Sequence, residues 1–214
     1  MSDTADLAGV DAWIREFARV IGDNAQFLTD LDAAIGDADH GINMNRGMAA
    51  VVAALDDAPP PDLAALCKKV GMTLVSSVGG ASGPLYGTFF LRMATAVGAV
   101  DSVDAAGFAK ALRAGVDGVV QRGRAEAGDK TMYDALAPAL DALDAALTSG
   151  ADLSSGLQDA LSAAEKGRDA TEPMVARKGR ASYLGQRSVG HQDPGATSAA
   201  MLIAAAATTF AGTG

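Results

Sequence analysis

The chain has 214 residues, a formal net charge of −9, 49 % hydrophobic residues and 5 % aromatics. That length suits one well-buried domain over 1–214 and is short for two, while the acidic balance repels nucleic acid and anionic lipid, so neither nucleic acid nor membrane is an expected partner. The single cysteine, Cys67, excludes an internal disulfide, and the acidic start Met1-Ser2-Asp3-Thr4-Ala5-Asp6 lacks both the basic and the apolar parts of a signal peptide, which points to the cytoplasm.

Abundant alanine with few aromatics favours close-packed helices over a β-sandwich, so the expected fold class is all-α. Val10, Trp13, Ile14, Phe17, Val20 and Ile21 recur at helical spacing and predict a first amphipathic helix. Residues 24–35 continue as a second helix that runs into an acidic loop. A third covers 43–56 and stops before Asp57-Ala58-Pro59-Pro60-Pro61-Asp62, where Asp62 can cap the next helix over 63–77. Further helices are expected over 84–98, 104–122, 131–148, 153–170 and 194–211, with lengths and spacings that suit antiparallel neighbours in a bundle. The longest apolar run, Ala199 to Ala207, is well short of the roughly 20 residues that span a bilayer and reads as a buried helix. Residues 171–193 break this regularity. The segment is rich in Gly, Arg and Ser, and a long structureless connection in a compact domain is usually functional.

The acidic loop is Leu31-Asp32-Ala33-Ala34-Ile35-Gly36-Asp37-Ala38-Asp39-His40-Gly41-Ile42-Asn43, which gathers three carboxylates and a histidine with no lysine or arginine. Asp37 and Asp39, two apart, cannot share a helix face, but a looped backbone puts both on one side and lets Asp32 approach from the preceding helix. Three hard oxygen donors suit Mg²⁺ or Ca²⁺. An EF-hand counted from Asp37 fails, since it finds Gly41, Ile42 and Met48 at its fifth, sixth and twelfth positions. Taken alone, Asp39 or Asn43 also reads as the cap of a helix that starts near Gly41, with the other carboxylates solvated.

Two more stretches carry chemistry. In Ser76-Ser77-Val78-Gly79-Gly80-Ala81-Ser82-Gly83-Pro84-Leu85-Tyr86-Gly87-Thr88, small residues allow a ligand close to the backbone. Pro84 in a helix's first turn leaves neighbouring N–H groups and the positive dipole end free for an anion such as phosphate. The stretch is neither a dinucleotide fingerprint nor a P-loop, and it also reads as a plain glycine-rich turn. In Arg177-Lys178-Gly179-Arg180-Ala181-Ser182-Tyr183-Leu184-Gly185-Gln186-Arg187, four cations fall within eleven residues, ahead of Asp193 as a cap and Pro194 as a first helical residue. That points to an anionic ligand or partner, against the alternative of a solvated face. Between them, Gly123-Arg124-Ala125-Glu126-Ala127-Gly128-Asp129-Lys130-Thr131 is not a P-loop, because Asp129 precedes the lysine and no hydrophobic strand leads in. Asp129 is expected to cap the helix opening at Thr131, with Lys130 solvated or reaching an anion.

Together these stretches resemble the nucleotide-binding L subunits of the dihydroxyacetone kinases. The likeness runs from about Phe27 to Ser198. It is densest in Gly36-Asp37-Ala38-Asp39-His40-Gly41, Ser77-Val78-Gly79-Gly80-Ala81-Ser82-Gly83-Pro84-Leu85, Gly128-Asp129-Lys130-Thr131-Met132 and Gly190-His191-Gln192-Asp193-Pro194-Gly195. The resemblance implies an antiparallel barrel of about eight helices with ADP or ATP held at one end through two Mg²⁺ ions. It implies that Asp32, Asp37 and Asp39 hold the metals, and that His40, Gly41, Ile42, Asn43, Ala81, Ser82, Gly123, Met132, Arg180, Asp193, Pro194 and Gly195 surround the nucleotide. It further implies two partners: a K subunit that holds dihydroxyacetone, and an M subunit, a histidine phosphocarrier that rephosphorylates the bound ADP.

Phosphoryl transfer builds charge on non-bridging oxygens and demands alignment more than a protein nucleophile. Arg180 is the catalytic candidate, since its planar fork can hold phosphate oxygens in pairs. Exchangeable ATP, or another short ketose as acceptor, would use the same motifs. Two readings from other classes compete: a hydrolase using the three aspartates with His40 and His191 around a metal-bound water, and a nucleotide sensor without catalysis.

Overall fold

The computed structural model describes residues 4–211. Within them the helical periodicities become α1 (Leu7–Asp23), α2 (Ala25–Ile35), α3 (His40–Asp57), α4 (Leu63–Ser77), α5 (Ser82–Val97), α6 (Ala105–Gly123), α7 (Met132–Thr148), α8 (Leu153–Ala170) and α9 (Pro194–Thr209). Neighbour packing closes a ring: α3 on α4, α4 on α5, then α6, α7, α8 and α9 in turn, with α1 joining α9 back to α3. That ring holds eight helices. The ninth, α2, lies against α3 and α9 and delivers the acidic loop. It separates from α1 at Asn24 alone, whose side-chain amide donates to the Val20 carbonyl at 2.8 Å and ends α1.

Burial at the ring's centre follows from the few aromatics. Trp13 meets Phe108 edge-on at 5.6 Å and Phe90 at 5.9 Å, and its indole N–H donates to the Leu202 carbonyl at 2.9 Å. Phe17, Phe89, Phe90 and Phe108 are likewise buried, each contributing about 1.5–3 kcal/mol of transfer free energy. Alanine supplies close approach instead of bulk. On α9, Ala196, Ala199, Ala200, Ala205, Ala206 and Ala207 are all buried, so the helix is apolar on every side, as expected for one packed inside. No helix among the described residues is long and apolar enough to cross a membrane.

Four local features depart from the sequence expectations. A two-stranded antiparallel pair, β1 (Thr4–Asp6) with β2 (Ser102–Asp104), stands where no strand was expected; three-residue strands are too short for a period-2 pattern to register. Each strand ends in a helix cap, Asp6 accepting from Gly9 N–H and Asp104 from Gly107 N–H, both at 2.7 Å. Helix α3 begins at His40 rather than at 43, with Asp39 at the cap position but making no side-chain cap bond. Helix α7 is capped by Thr131, not Asp129: Thr131 Oγ1 accepts from Tyr133 N–H, and Asp134 reaches back to the Thr131 N–H at 2.8 Å. Asp129 instead accepts from Glu126 N–H at 2.9 Å within its own turn. Finally, 171–193 is not structureless, because Arg180–Ser188 forms a 3-10 segment kinked at Gly185.

Candidate functional site

Alternating helix directions put the N-termini of α3, α5, α7 and α9 at one end of the ring, with the C-termini of α4 and α6 between them. Four positive dipole ends meet there, interleaved with negative ones, so anions are favoured close to the N-terminal turns themselves. A cavity of about 480 Å³ opens there. Its wall includes Asp39 and His40 from α3, Ala81, Ser82 and Pro84 from α5, Thr131 and Met132 from α7, and Asp193, Pro194 and Gly195 from α9.

The acidic side of the cavity is built around Asp32. Buried in the last turn of α2, its carboxylate accepts from the backbone N–H of Asp39 at 2.8 Å and of His40 at 3.2 Å. Those bonds fold the loop back on the helix. Gly36 permits the return, since a Cβ there would collide with the Asp32 carboxylate. Ala38 adopts φ +61°, the left-handed region that costs a residue with a Cβ about 1–2 kcal/mol. The turn it makes brings carboxylate oxygens of Asp32, Asp37 and Asp39 within 4.8 Å of one another. Three like charges at that spacing repel unless a cation offsets them. One partner is present: Arg180 Nε lies 2.8 Å from Asp37 Oδ2 at the mouth. Such a donor set of hard oxygens alone fits Mg²⁺.

His40 faces away from this cluster. Its Nδ1 lies 3.0 Å from Ser82 Oγ and its Nε2 2.9 Å from Ser198 Oγ, which also meets the Tyr86 hydroxyl at 2.8 Å. One proton arrangement satisfies every group: Ser82 donates to Nδ1, Nε2–H and Tyr86 donate to Ser198, and Ser198 donates to the Gly195 carbonyl at 3.1 Å. The imidazole thus ties α3 to α5 and α9. Burial lowers its pKa, against the opposing pull of Asp32 and Asp39, which favours the neutral ring. His191 is exposed and lies outside the cavity wall. The hydrolase reading needs an imidazole on the metal, and neither histidine offers one.

The remaining walls come from the 171–193 segment and from α9. Ile35 packs with Ala176, Ala181 and Leu184, seating the 3-10 segment beside the acidic loop, and this carries Arg180 to the mouth. Asp193 caps α9 by accepting from Ala196 N–H at 2.7 Å. Burial pushes its carboxyl up to about 7, against the Ala196 N–H and Lys130, which pull it down. Lys130 is neither solvated nor free for an anion. Its ammonium is buried and donates to backbone carbonyls of the 171–193 segment, including Ser188 at 2.6 Å.

Of the residues singled out by sequence, Asp32, Asp37, Asp39, His40, Ala81, Ser82, Gly123, Met132, Arg180, Asp193, Pro194 and Gly195 all line this one cavity. Gly41, Ile42 and Asn43 do not. Gly41 packs against α2, where a Cβ would run into the Ala25 carbonyl and Thr29; Ile42 is 58 % exposed; and Asn43 accepts from Arg46 at 2.8 Å. The apolar wall of Leu85, Val119 and Ala125 beside Met132 escaped the sequence reading, as did Arg122. A signal existed: Val119 lies one helical turn before Gly123, and Leu85 one turn after Ser82.

The family model described as the DAK2 domain matches residues 34–208. The chain is 47 % identical over 191 residues, spanning 89 % of it and 91 % of the relative, to the PEP-dependent dihydroxyacetone kinase, ADP-binding subunit DhaL, of Escherichia coli (strain K12). It is 41 % identical, over 89 % of its length and 91 % of the relative's, to the PTS-dependent dihydroxyacetone kinase, ADP-binding subunit DhaL, of Lactococcus lactis. Among solved structures it resembles the dihydroxyacetone kinase from C. freundii in complex with AMP-PNP and Mg²⁺, with a TM-score of 0.71 and 29 % identity over 92 % of this chain. It spans 33 % of that longer chain.

Proposed function

Because this chain belongs to the DAK2 domain family, we propose that it is the nucleotide-binding subunit of a phosphoenolpyruvate-dependent dihydroxyacetone kinase. In this reading it is a single nucleotide-binding domain over 1–214 that relays a phosphoryl group through bound ADP and ATP. The group comes from an M-type histidine phosphocarrier and goes to dihydroxyacetone on a K subunit. Phosphoenolpyruvate and nucleotides are intracellular metabolites, and on this reading the protein would work in the cytoplasm. One observation carries the proposal: three clustered carboxylates and four helix N-termini face the same cavity.

The chain's own residues divide the work. Asp32, Asp37 and Asp39 would hold two Mg²⁺ ions, with phosphate and water completing their coordination. Bound ADP and Mg²⁺ supply the phosphoanhydride and the positive charge that neutralises it. The backbone N–H groups of Ser82 and Gly83 at the start of α5 and of Gly195 at the start of α9 would orient the phosphates. Leu85, Val119, Ala125 and Met132 offer an apolar slot for the base. Arg180, its side chain 69 % exposed and already beside Asp37, would meet charge that develops at the mouth.

The direct test is to denature the purified protein and identify released nucleotide by absorbance and mass, then to measure rebinding of ADP with Mg²⁺ and with chelator. ADP retained with Mg²⁺ and lost to chelator is expected, and its rate of exchange separates a permanently held cofactor from exchangeable ATP. No released nucleotide and no rebinding would refute the proposal. Arg180→Lys is expected to lower the transfer rate at least tenfold while weakening ADP binding less than threefold, because lysine keeps the charge but lacks the fork. Equal losses in rate and affinity would reduce Arg180 to a binding contact.

A further inference from the structure

Among the described residues Lys130 is the one fully buried lysine, 1 % exposed, and no role assigned so far uses it. Its three ammonium protons have three backbone acceptors: Ser188 at 2.6 Å, Met174 at 3.1 Å and Glu172 at 3.4 Å. Glu172 and Met174 lie at the start of the 171–193 segment and Ser188 near its end. Arg180 lies between them. Neighbouring bonds repeat the pattern. Arg177 N–H donates to the Asp129 carbonyl at 3.0 Å, Ala176 N–H to Ser188 Oγ at 2.9 Å, and Gly190 N–H to the Glu172 carbonyl at 2.9 Å. Lys130 itself sits at φ +64°, a conformation a residue with a Cβ holds only when its surroundings insist. The buried charge is faced by Asp193 in the cavity wall and by Glu172, which links the segment electrostatically to the cap of α9.

We infer that Lys130 is a positioning residue for the transfer reaction: by tying together both ends of the 171–190 segment, it holds Arg180 beside the acidic loop at the cavity mouth. This inference rests on the nucleotide reading of the cavity only for its consequence, retention of ADP. The clamp itself is a property of the ligand-free chain. Without it, the segment opens as a unit while the ring of helices stays folded, since Ile35, Ala176, Ala181 and Leu184 form a small apolar cluster apart from the main core.

The test compares Lys130→Met, of similar length and uncharged, with Lys130→Gln, which can still donate, and with Asp152→Ala. Asp152 caps α8 by accepting from Ser155 N–H at 2.8 Å, away from the cavity, so its loss lowers thermal stability without touching the segment. Two rates are read: tryptic cleavage at exposed Arg177, Arg180 and Arg187 in ligand-free protein, and dissociation of a fluorescent ADP analogue with Mg²⁺ present. Lys130→Met is expected to raise both at least tenfold, Lys130→Gln to recover part of the difference, and Asp152→Ala to change neither by more than twofold. Wild-type rates in Lys130→Met, or equal acceleration in Asp152→Ala, would overturn the inference. If Lys130→Met does not fold, hydrogen exchange of the wild-type chain decides: the Ala176, Arg177 and Gly190 amides must open together, and independent fast exchange would overturn the clamp. If the wild-type chain binds no ADP, the nucleotide reading fails, and the tryptic comparison still settles the clamp.

Discussion

Asp39→Ala is expected to lower phosphoryl transfer at least about 10³-fold, because a metal ligand removed from a phosphoryl-transfer site forfeits several kcal/mol of transition-state stabilisation. The helical fold should survive. The Asp39 side chain makes no cap bond to α3, so its removal takes away a ligand and a repulsion but no structural contact. Without metal, the variant should therefore melt no lower than the wild-type chain. With Mg²⁺ and ADP, only the wild-type chain should gain markedly in melting temperature, by linkage. Asp37→Ala should lose transfer to the same degree and also release Arg180, its ion-pair partner. Asp32→Ala differs in kind. Its carboxylate accepts two backbone N–H groups, so its loss should also cost about 1–3 kcal/mol of stability. Circular dichroism melts with and without Mg²⁺–ADP, beside a coupled transfer assay, read all three. Full transfer activity in Asp37→Ala or Asp39→Ala would remove the metal-site assignment.

The extents of these helices were legible because each buries one stripe of a ring, and a stripe repeats every three to four residues whatever its partner. Loop chemistry was legible for a different reason: charge clusters in loops that serve no core stand out against the composition. The start of α3 was not, since Gly41 and Asn43 read as loop formers until the crossing of α2, which only glycine at 41 permits, is known. The apolar wall was hidden likewise. Val119 and Leu85 look like ordinary stripe residues, and only the facing of α5 and α6 turns them toward the cavity. Gly123 and Met132 came from the family resemblance, not from any physical signature of their own. Lys130 defeats local reading altogether, since its acceptors lie more than forty residues away along the chain.

The isolated chain, given ATP or phosphoenolpyruvate, is expected to phosphorylate no dihydroxyacetone above background, with turnover appearing only when matching K and M subunits are both added. The argument is one of inventory. A ketose held for transfer needs a group that fixes its carbonyl, and the two histidines are spoken for or misplaced: both ring nitrogens of His40 are bonded to hydroxyls, and His191 is exposed outside the cavity wall. On the proposed reading, the cavity of about 480 Å³ is taken up by a nucleotide and its metals. On that reading, acceptor and phosphoryl donor would reach the mouth from outside, on other chains. At that mouth Lys178 and Arg180 form a basic rim on a chain of net charge −9, in a segment that also carries Arg177 and Arg187. Docking there should weaken as salt rises, since screening shortens from about 8 Å at 0.15 M to about 3 Å at 1 M. Reconstitution with phosphoenolpyruvate and the general phosphocarriers, omitting each subunit in turn and repeating at high salt, measures both effects. Robust ATP-driven turnover by this chain alone would overturn the subunit reading, and salt-independent turnover in the complete system would move the docking surface away from the basic rim.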